Sequence, residues 1–389
     1  MPANLDSKRE RKLSQSRVTL RSLQCGRGLA ALMVVIYHTS VIFRVPTYWG
    51  ATPFGDVPKF LDSGVDFFFV LSGFIILDAH LRDIGSPARF ANYVWRRAVR
   101  IYPLYWVVFC AVLVPLLLTK ADVDLCRITL ELFLLPAAGL IADQKIVVVS
   151  WTLCYEIAFY AIFGAAIFNR ALGILLGTLW LLAAVYSVGE TVPAKWTILC
   201  SPYPVLFLTG MIVRQVWSSG KFNVPLAPTF GLGIVIFAAA AITRVNALGI
   251  PAGLVQWSYG VGAGLIILAA VEAERRGALE FPEWLTRIGD ASYSLYLVHF
   301  TVLSVLAKLF VASSVSKAVP LQVLFVGMAV VTVAVGMAVH LLVEKPLLKL
   351  LGRRRAPVVH QSTGQFADEV RGRDRGPQDL AREAYSTDR

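Results

Sequence analysis

Long apolar stretches, separated by short polar and often basic segments, dominate the chain. Many of these stretches run about 15 to 25 residues with few charges, close to the roughly 20 apolar residues that carry a helix across a bilayer. A soluble protein would show shorter, amphipathic helices. The pattern therefore predicts an all-α polytopic membrane protein with about ten transmembrane helices. The predicted spans are Gly28–Phe43, Gly64–Leu77, Tyr102–Leu118, Ser150–Phe168, Leu172–Val188, Tyr203–Trp217, Thr229–Thr243, Ile250–Val271, Ala291–Phe310 and Leu321–Val343.

One further apolar stretch, Ile128–Leu140, is short and contains Glu131, Pro136 and Gly139. We expect it to be re-entrant or interfacial, because a spanning helix needs more length and fewer interruptions. Ten spans place both termini on the same side of the membrane.

The charge distribution supports this layout. The chain is 57% hydrophobic, only 16% charged, and carries a formal net charge of +12. With the N-terminus inside, 28 of the 37 Lys and Arg residues fall on the cytoplasmic side, as expected when positive residues stay inside. The basic balance therefore predicts an N-in, C-in membrane protein rather than a nucleic-acid partner.

The sequence divides into three parts. We expect residues 1–26 to form a basic cytoplasmic segment, residues 27–350 the membrane domain, and residues 351–389 a disordered cytoplasmic tail, because that tail is polar and mixed in charge. The five cysteines show no spacing typical of a metal or redox site, so no metal is expected.

The first predicted span contains the most informative pair, Arg27 and His38. Their spacing returns the two side chains to nearly the same helix face, roughly 16 Å apart along the axis. A histidine at this depth is costly and marks a functional site by default, and a neutral imidazole can accept a proton from a hydroxyl. The alternatives are a histidine bonded to a neighbouring helix and an arginine that anchors the helix at the membrane edge.

Arg97 and Arg100 lie three residues apart, just before the third predicted span, where Pro103 suits the first turn of a helix. Two guanidinium groups on one face can grip phosphates in bidentate fashion. The alternative is topological charge in contact with lipid headgroups.

Three further spans carry polar residues. Asp66 can orient a histidine, bind a sugar hydroxyl, or merely satisfy a helix N-terminus. Glu156 must be paired or protonated, because a lone carboxylate in an apolar helix is costly. An ion pair with an arginine or His38 and an active-site role stay open. Tyr293, Tyr296 and His299 form a stripe at helical spacing that can line a cavity or pack through hydrogen bonds.

Six segments follow one another in this order: Arg27 to His38, Gly64–Phe74, Arg97–Pro103, Trp151–Tyr160, Ser292–His299 and Glu344–Pro346. Together they resemble membrane-bound acyltransferase family 3, the bacterial O-acyltransferases of surface and secreted polysaccharides. Ile250–Gly253 and the short tail look most like the exopolysaccharide O-acetyltransferase branch.

The resemblance implies a ten-helix core in the bacterial inner membrane. It also implies transfer of an acyl group, commonly acetyl, from cytoplasmic acyl-CoA to a polysaccharide or lipid-linked oligosaccharide, with no tightly bound cofactor. Membrane lipid and polysaccharide assembly machinery are expected partners. His38 matches the catalytic histidine of the family, Arg27, Arg97 and Arg100 match its donor-handling arginines, and Glu156 matches its intramembrane acid. The resemblance therefore implies that His38, Arg27 and Glu156 are catalytic. The expected substrate-binding residues are Arg97, Arg100, Asp66, Trp151, Tyr293, Tyr296 and His299.

Two other functions compete with this interpretation. A transporter or flippase would use the intramembrane Arg, Glu and His residues as a proton or substrate path, although the sequence shows no inverted repeat. A structural partner of a polysaccharide polymerase would not need His38 or Arg100.

Overall fold

A computed structural model describes residues 20–119, 124–135, 146–188, 196–220, 222–313 and 318–352. Every regular element in these ranges is helical, so the predicted all-α class is confirmed. Most of the predicted N-terminal segment and of the predicted tail lies outside the described residues. The α-helices are α1 Arg21–Arg44, α2 Gly64–His80, α3 Pro87–Leu118, α4 Leu125–Leu132, α5 Ser150–Phe168, α6 Arg170–Tyr186, α7 Tyr203–Ser219, α8 Leu226–Asn246, α9 Ala252–Arg275, α10 Glu283–Asp290, α11 Ser292–Ala312, α12 Leu321–Val339 and α13 Lys345–Gly352.

Within the described ranges, eight helical segments are long and apolar enough to cross a membrane. The helices α6 and α7, each of 17 residues, occupy the other two predicted spans. The protein is therefore an all-α, multi-pass membrane protein, while the side on which its termini lie stays a prediction. The eight segments are Arg21–Arg44, Val57–Asp83, Pro87–Leu118, Ser150–Phe168, Leu226–Asn246, Ala252–Arg275, Ser292–Ala312 and Leu321–Gly352.

Helix α3 begins much earlier than the hydrophobic pattern indicates. It starts at Pro87, which suits a first helical turn, so Pro103 lies inside the helix and the expected helix start there is wrong. The apolar pattern predicts only the apolar second half of α3, because the first half is polar and contains no apolar stretch. As a result, Arg97 and Arg100 are fixed on a helix rather than carried by a loop.

The short helix α4 occupies the described part of the stretch expected to be re-entrant or interfacial; residues 136–140 of that stretch lie outside the described residues. Its eight residues are too few to span a bilayer. The buried Glu131 carboxylate accepts the backbone N–H of Ile146, with N–O distances of 2.9 and 3.1 Å. This contact ties the helix to the segment that leads into α5.

Helix α1 is anchored at its N-terminus by an acid from another helix. The Glu274 carboxylate on α9 accepts the backbone N–H groups of Arg21 and Ser22, both at 2.8 Å. These amides have no partner within their own helix, so the carboxylate of Glu274 caps the N-terminus of α1 from a neighbouring helix. The anchored turn lies just before Arg27.

Helices α2 and α7 cross at two glycines. A Cβ at Gly73 would overlap the carbonyl oxygen of Phe207, and one at Gly210 would overlap that of Val70. Small residues permit such close approach of two backbones inside a membrane protein. This contact holds α2 at the centre of the bundle, between α7 and α1.

Candidate active site

Two cavities open within the bundle, and α1 and α2 border both of them. Cavity A has a volume of about 630 Å³ and takes its α1 lining from Val34, Tyr37 and His38. Cavity B has a volume of about 420 Å³ and takes its α1 lining from Arg27, about three turns earlier. The spacing of Arg27 and His38 therefore places one residue in each cavity.

Cavity A combines aromatic and acidic side chains around His38. Asp66 and Trp151, both expected to bind substrate, line it together with Tyr203. An ion pair closes one wall, with Arg244 Nη2 2.7 Å from Asp62 Oδ2. Aromatic faces beside carboxylates suit a ligand that has both apolar faces and hydroxyl groups.

Asp66 is the most exceptional group in cavity A. Its side chain is only 5% exposed, yet no hydrogen-bond donor or ion-pair partner to its carboxylate is found among the residues that the structure describes. The buried hydroxyl of Tyr259, in the same lining, likewise lacks a partner there. Buried polar groups are costly unless they are satisfied, so both groups are available to a ligand.

Cavity B is lined by cations and tyrosines. The guanidinium of Arg97 lies 5.7 Å from the ring centre of Tyr160, and that of Arg100 lies 5.4 Å from the ring centre of Tyr293. Arg27 also borders the cavity and donates from Nη1 to Gln24 at 3.3 Å. With Arg96, which also borders the cavity, four arginines on one small cavity form a site for an anion.

Arg100 is held by a buried acid. Its Nη1 lies 2.5 Å from Glu344 Oε1, while Glu344 Oε2 accepts from Ser294 at 2.6 Å and contacts His340 Nδ1 at 2.7 Å. His340 to Glu344 form a short π-helix, a rare element that is frequent at functional sites. The Arg100 side chain is still 30% exposed, on the border of cavity B.

Glu156 borders cavity B and is satisfied by hydroxyl groups. Its Oε1 accepts hydrogen bonds from Tyr160 and from Ser72, the latter at 3.3 Å. Among the described residues Glu156 forms no ion pair, so of the two roles left open by the sequence, the ion pair with an arginine or His38 does not occur. The reason is geometric, because Glu344 takes Arg100 while Arg97 lies over the Tyr160 ring.

The two cavities share part of their lining. Val65 lines both, and the consecutive residues Trp151 and Thr152 face cavities A and B respectively. The hydroxyls of Thr152 and Tyr296 lie 2.7 Å apart and form part of the partition. This partition separates cavity B from cavity A, whose lining contains His38.

His299 differs from the other residues expected to bind substrate. It is fully buried and belongs to the lining of neither cavity. Its Nε2 lies 3.2 Å from His38 Nδ1. By contrast Tyr293 and Tyr296, two turns and one turn earlier on α11, both border cavity B.

Several residues of the site give little signal in the sequence. His80 lies three residues beyond the predicted span Gly64–Leu77, but it is buried at the end of α2, with its Nε2 3.5 Å from Arg97 Nη2. His340, near the end of the last predicted span, is buried against Glu344. A histidine four residues before an acid, as in His340 and Glu344, is a signal that could have been read from the sequence.

A family model described as an acyltransferase domain matches residues 20–341, most of the membrane bundle and all of the site except Glu344. The chain belongs to this acyltransferase family. The resemblance carried by the six sequence motifs is thereby confirmed, and the protein is a multi-pass membrane acyltransferase.

Three relatives extend the comparison. This acyltransferase is 29% identical over 306 residues to the exopolysaccharide production protein ExoZ of Rhizobium meliloti (strain 1021), covering 75% of this chain and 91% of that protein. It is 28% identical over 379 residues to the acyltransferase MdmB of Streptomyces mycarofaciens, covering 87% and 94%. It is 25% identical over 280 residues to nodulation protein 10 of Rhizobium leguminosarum bv. viciae, covering 62% and 72%. No solved structure matches the chain significantly.

Proposed function

We propose that this protein transfers an acyl group, most simply acetyl, from cytoplasmic acyl-CoA to a hydroxyl of a surface or secreted polysaccharide or of its lipid-linked precursor. The membrane domain of residues 27–350, in the bacterial inner membrane, carries the reaction. The observation that supports the proposal is that a cavity lined by arginines shares a wall at Val65 with a cavity lined by His38, acids and aromatic residues.

The donor occupies cavity B. Its phosphates bind Arg97 and Arg100, since guanidinium groups match phosphate geometry. The pantetheine arm runs past Arg27 and Glu156 toward the partition, and the thioester carbonyl passes it beside Tyr296. The donor is a substrate that leaves after each turnover, so no tightly bound cofactor is involved.

The acceptor occupies cavity A. A sugar stacks on Trp151 or Tyr203 and donates a hydroxyl to the unsatisfied carboxylate of Asp66. The relative named for exopolysaccharide production supports a polysaccharide acceptor. Polysaccharide assembly proteins are therefore the partners we expect at this end of the bundle.

The reaction then follows from the position of His38. Its imidazole takes the proton of the acceptor hydroxyl while the hydroxyl oxygen attacks the thioester carbonyl carbon. The tetrahedral intermediate collapses, the carbon–sulfur bond breaks, and the CoA sulfur takes the proton from the imidazolium. The products are an ester and free CoA. An acyl-histidine relay is the alternative order of events.

The first test is ester-linked acetate on the surface and secreted polysaccharides of the host, measured by proton NMR. A deletion strain is complemented with wild type, with His38→Ala, or with His360→Ala as the control in the predicted tail. We expect wild type and the control to restore acetate, and His38→Ala to fail at normal protein level, because general-base catalysis contributes about 10² to 10⁴-fold. Normal acetate with His38→Ala would remove the proposed base.

Binding of acetyl-CoA to the detergent-purified protein separates this function from a transporter or flippase. A transferase binds the donor before it meets an acceptor, whereas a flippase has no need of it. Absence of acetyl-CoA binding, together with unchanged esters in the deletion strain, would favour the flippase.

A further inference from the structure

The hydrogen bonds of His299 determine where its ring carries a proton. Its Nδ1 lies 2.7 Å from the carbonyl oxygen of Tyr296 on the same helix. A carbonyl oxygen can only accept, so Nδ1 must donate and carries the proton. In the neutral ring the other nitrogen, Nε2, is therefore a lone-pair acceptor, and it is this atom that faces His38.

The same reasoning determines the state of His38. Its Nδ1 lies 3.0 Å from the carbonyl oxygen of Val34 and 3.2 Å from His299 Nε2. Both neighbours are acceptors, so Nδ1 of His38 carries a proton shared between them. The opposite tautomer would set a lone pair of His38 against two other lone pairs. The remaining nitrogen, Nε2, is left unprotonated and has no partner among the described residues.

We propose that His299 is a positioning residue that holds His38 in the tautomer with the proton on Nδ1 and the basic lone pair on Nε2. This positioning role goes beyond the substrate-binding role expected of His299, and its effect on the rate of acyl transfer rests on the proposed function. When His38 takes the acceptor proton, the lone pair of His299 and the Val34 carbonyl face the resulting positive charge. A buried acid performs this orienting task in serine hydrolases, and here a neutral imidazole performs it.

The remaining charged groups around His38 lie on the cavity side and do not touch Nδ1. Asp66 and Asp62 come from the start of α2 and the turn before it, and Arg244 comes from α8. Tyr37 is the neighbouring titratable residue on α1 itself, with its ring centre 4.9 Å from that of His38. Control of the tautomer therefore belongs to His299 and Val34.

Two variants separate positioning from packing. His299→Gln places an amide oxygen near the position of Nε2 and keeps an acceptor for His38, whereas His299→Asn is too short to reach it. We expect His299→Asn to lower kcat about 10- to 100-fold, a part of the general-base contribution, with KM for acetyl-CoA unchanged. His299→Gln should retain most of the wild-type kcat. Wild-type kcat in His299→Asn, or an equal loss in both variants, would overturn the proposal.

The tautomer itself can be measured without activity. Full-length protein with ¹⁵N-labelled histidine, in lipid bilayers, gives separate nitrogen shifts for protonated and unprotonated ring atoms, and the His38→Gln variant identifies the His38 signals. We expect neutral His38 with the proton on Nδ1 in wild type, and a mixture of tautomers in His299→Asn. A wild-type His38 with its proton on Nε2, or an unchanged His38 pattern in His299→Asn, overturns the inference even if acetylation depends on His38. Conversely, the expected pattern would stand even if the acyl-transfer reaction were wrong.

Discussion

Two carboxylates on cavity walls, the buried Asp66 and the half-buried Glu156, have opposite surroundings. Glu156 accepts hydrogen bonds from Tyr160 and Ser72, so its charge is spread over fixed hydroxyls. Asp66 has no such donor among the described residues and faces cavity A. A carboxylate that already accepts hydrogen bonds from the protein helps to shape its site. A carboxylate without such donors is stabilised when a ligand donates a hydrogen bond to it. The two residues should therefore respond differently to substitution.

We expect Asp66→Asn to raise KM for the glycan acceptor at least tenfold. A hydrogen bond to a charged group contributes about 1.5–3 kcal/mol, and 1.36 kcal/mol corresponds to a factor of ten. KM for acetyl-CoA should not change, because the donor occupies the other cavity. Steady-state kinetics with the acceptor varied measures this, with the exposed Asp56→Asn as the control. An unaltered acceptor KM would show that Asp66 does not touch the glycan.

Arg97 should control the affinity for the donor. We expect Arg97→Ala to weaken binding of acetyl-CoA about tenfold or more, since charged hydrogen bonds to phosphate are lost. Arg89→Ala, on the same helix but paired with Asp83 at the surface, should bind like wild type. Isothermal titration of the detergent-purified proteins gives the comparison. Equal affinity for acetyl-CoA in Arg97→Ala and Arg89→Ala would show that the donor phosphates do not bind Arg97.

Helices place these residues through close backbone contacts and buried ion pairs. The crossing of α2 and α7 at Gly73 and Gly210 fixes the helix that carries Asp66 and Ser72. The π-helix at His340–Glu344 turns an acid toward Arg100 and so joins α3 to the end of α12. Both contacts lie away from the reacting atoms, but they determine the positions of the cavity walls.

Gly210→Ala should destabilise the bundle, because the new methyl group meets the backbone of α2, which cannot move aside easily. We expect a loss of about 1–3 kcal/mol, typical of overpacking. Gly327→Ala on α12 is the matched control, since an added Cβ there meets nothing within 4 Å. Thermal unfolding in detergent, followed by circular dichroism, compares the two. Similar melting temperatures would show that α2 and α7 are less closely packed than described.

Glu344→Gln should destabilise the junction of α3, α11 and the π-helix. The neutral amide loses the ion pair with Arg100 and the contact with His340, at a cost of about 1–3 kcal/mol. Glu283→Gln removes an exposed pair with Arg287 and should cost at most about 1 kcal/mol. Chemical denaturation in detergent tests both variants. We also expect weaker donor binding in Glu344→Gln alone, because Arg100 loses its fixed position; unchanged stability and binding would contradict the role of this pair.

At the scale of the whole molecule, one helix joins two chemically different cavities. Helix α1 passes from the arginines of cavity B to the acids and aromatics of cavity A. This arrangement suits a donor and an acceptor that approach from opposite sides of a membrane. It requires cavity B to face the cytoplasm, where acyl-CoA is made.

The orientation can be tested with reporter fusions. We expect a phosphatase that is active only outside the cytoplasm to be inactive when fused after residue 85 or 220, and active when inserted after residue 55 or 248. The reason is the concentration of Lys and Arg on the first set of loops. A fluorescent protein that folds only in the cytoplasm should give the reverse pattern. The opposite result at either pair of sites would invert the proposed direction of acyl transfer.

The sequence alone determined the class, the family and most of the spans. Apolar runs predict membrane helices because the bilayer forces backbone hydrogen bonds to be satisfied within each segment. Local order along the chain also sufficed to single out Arg27, His38, Arg97 and Arg100. The same local signal failed for α3, because its polar half has no apolar run.

Only the tertiary structure decided which of these residues share a site. Glu156 lies far from Ser72 in the sequence, and Arg100 far from Glu344, so neither partner could be assigned from spacing. The contact between His38 and His299 joins residues 261 positions apart, on helices whose packing no single segment encodes. Long-range contacts depend on how helices cross, and the crossings are set by small residues and buried acids that act only once the bundle has formed.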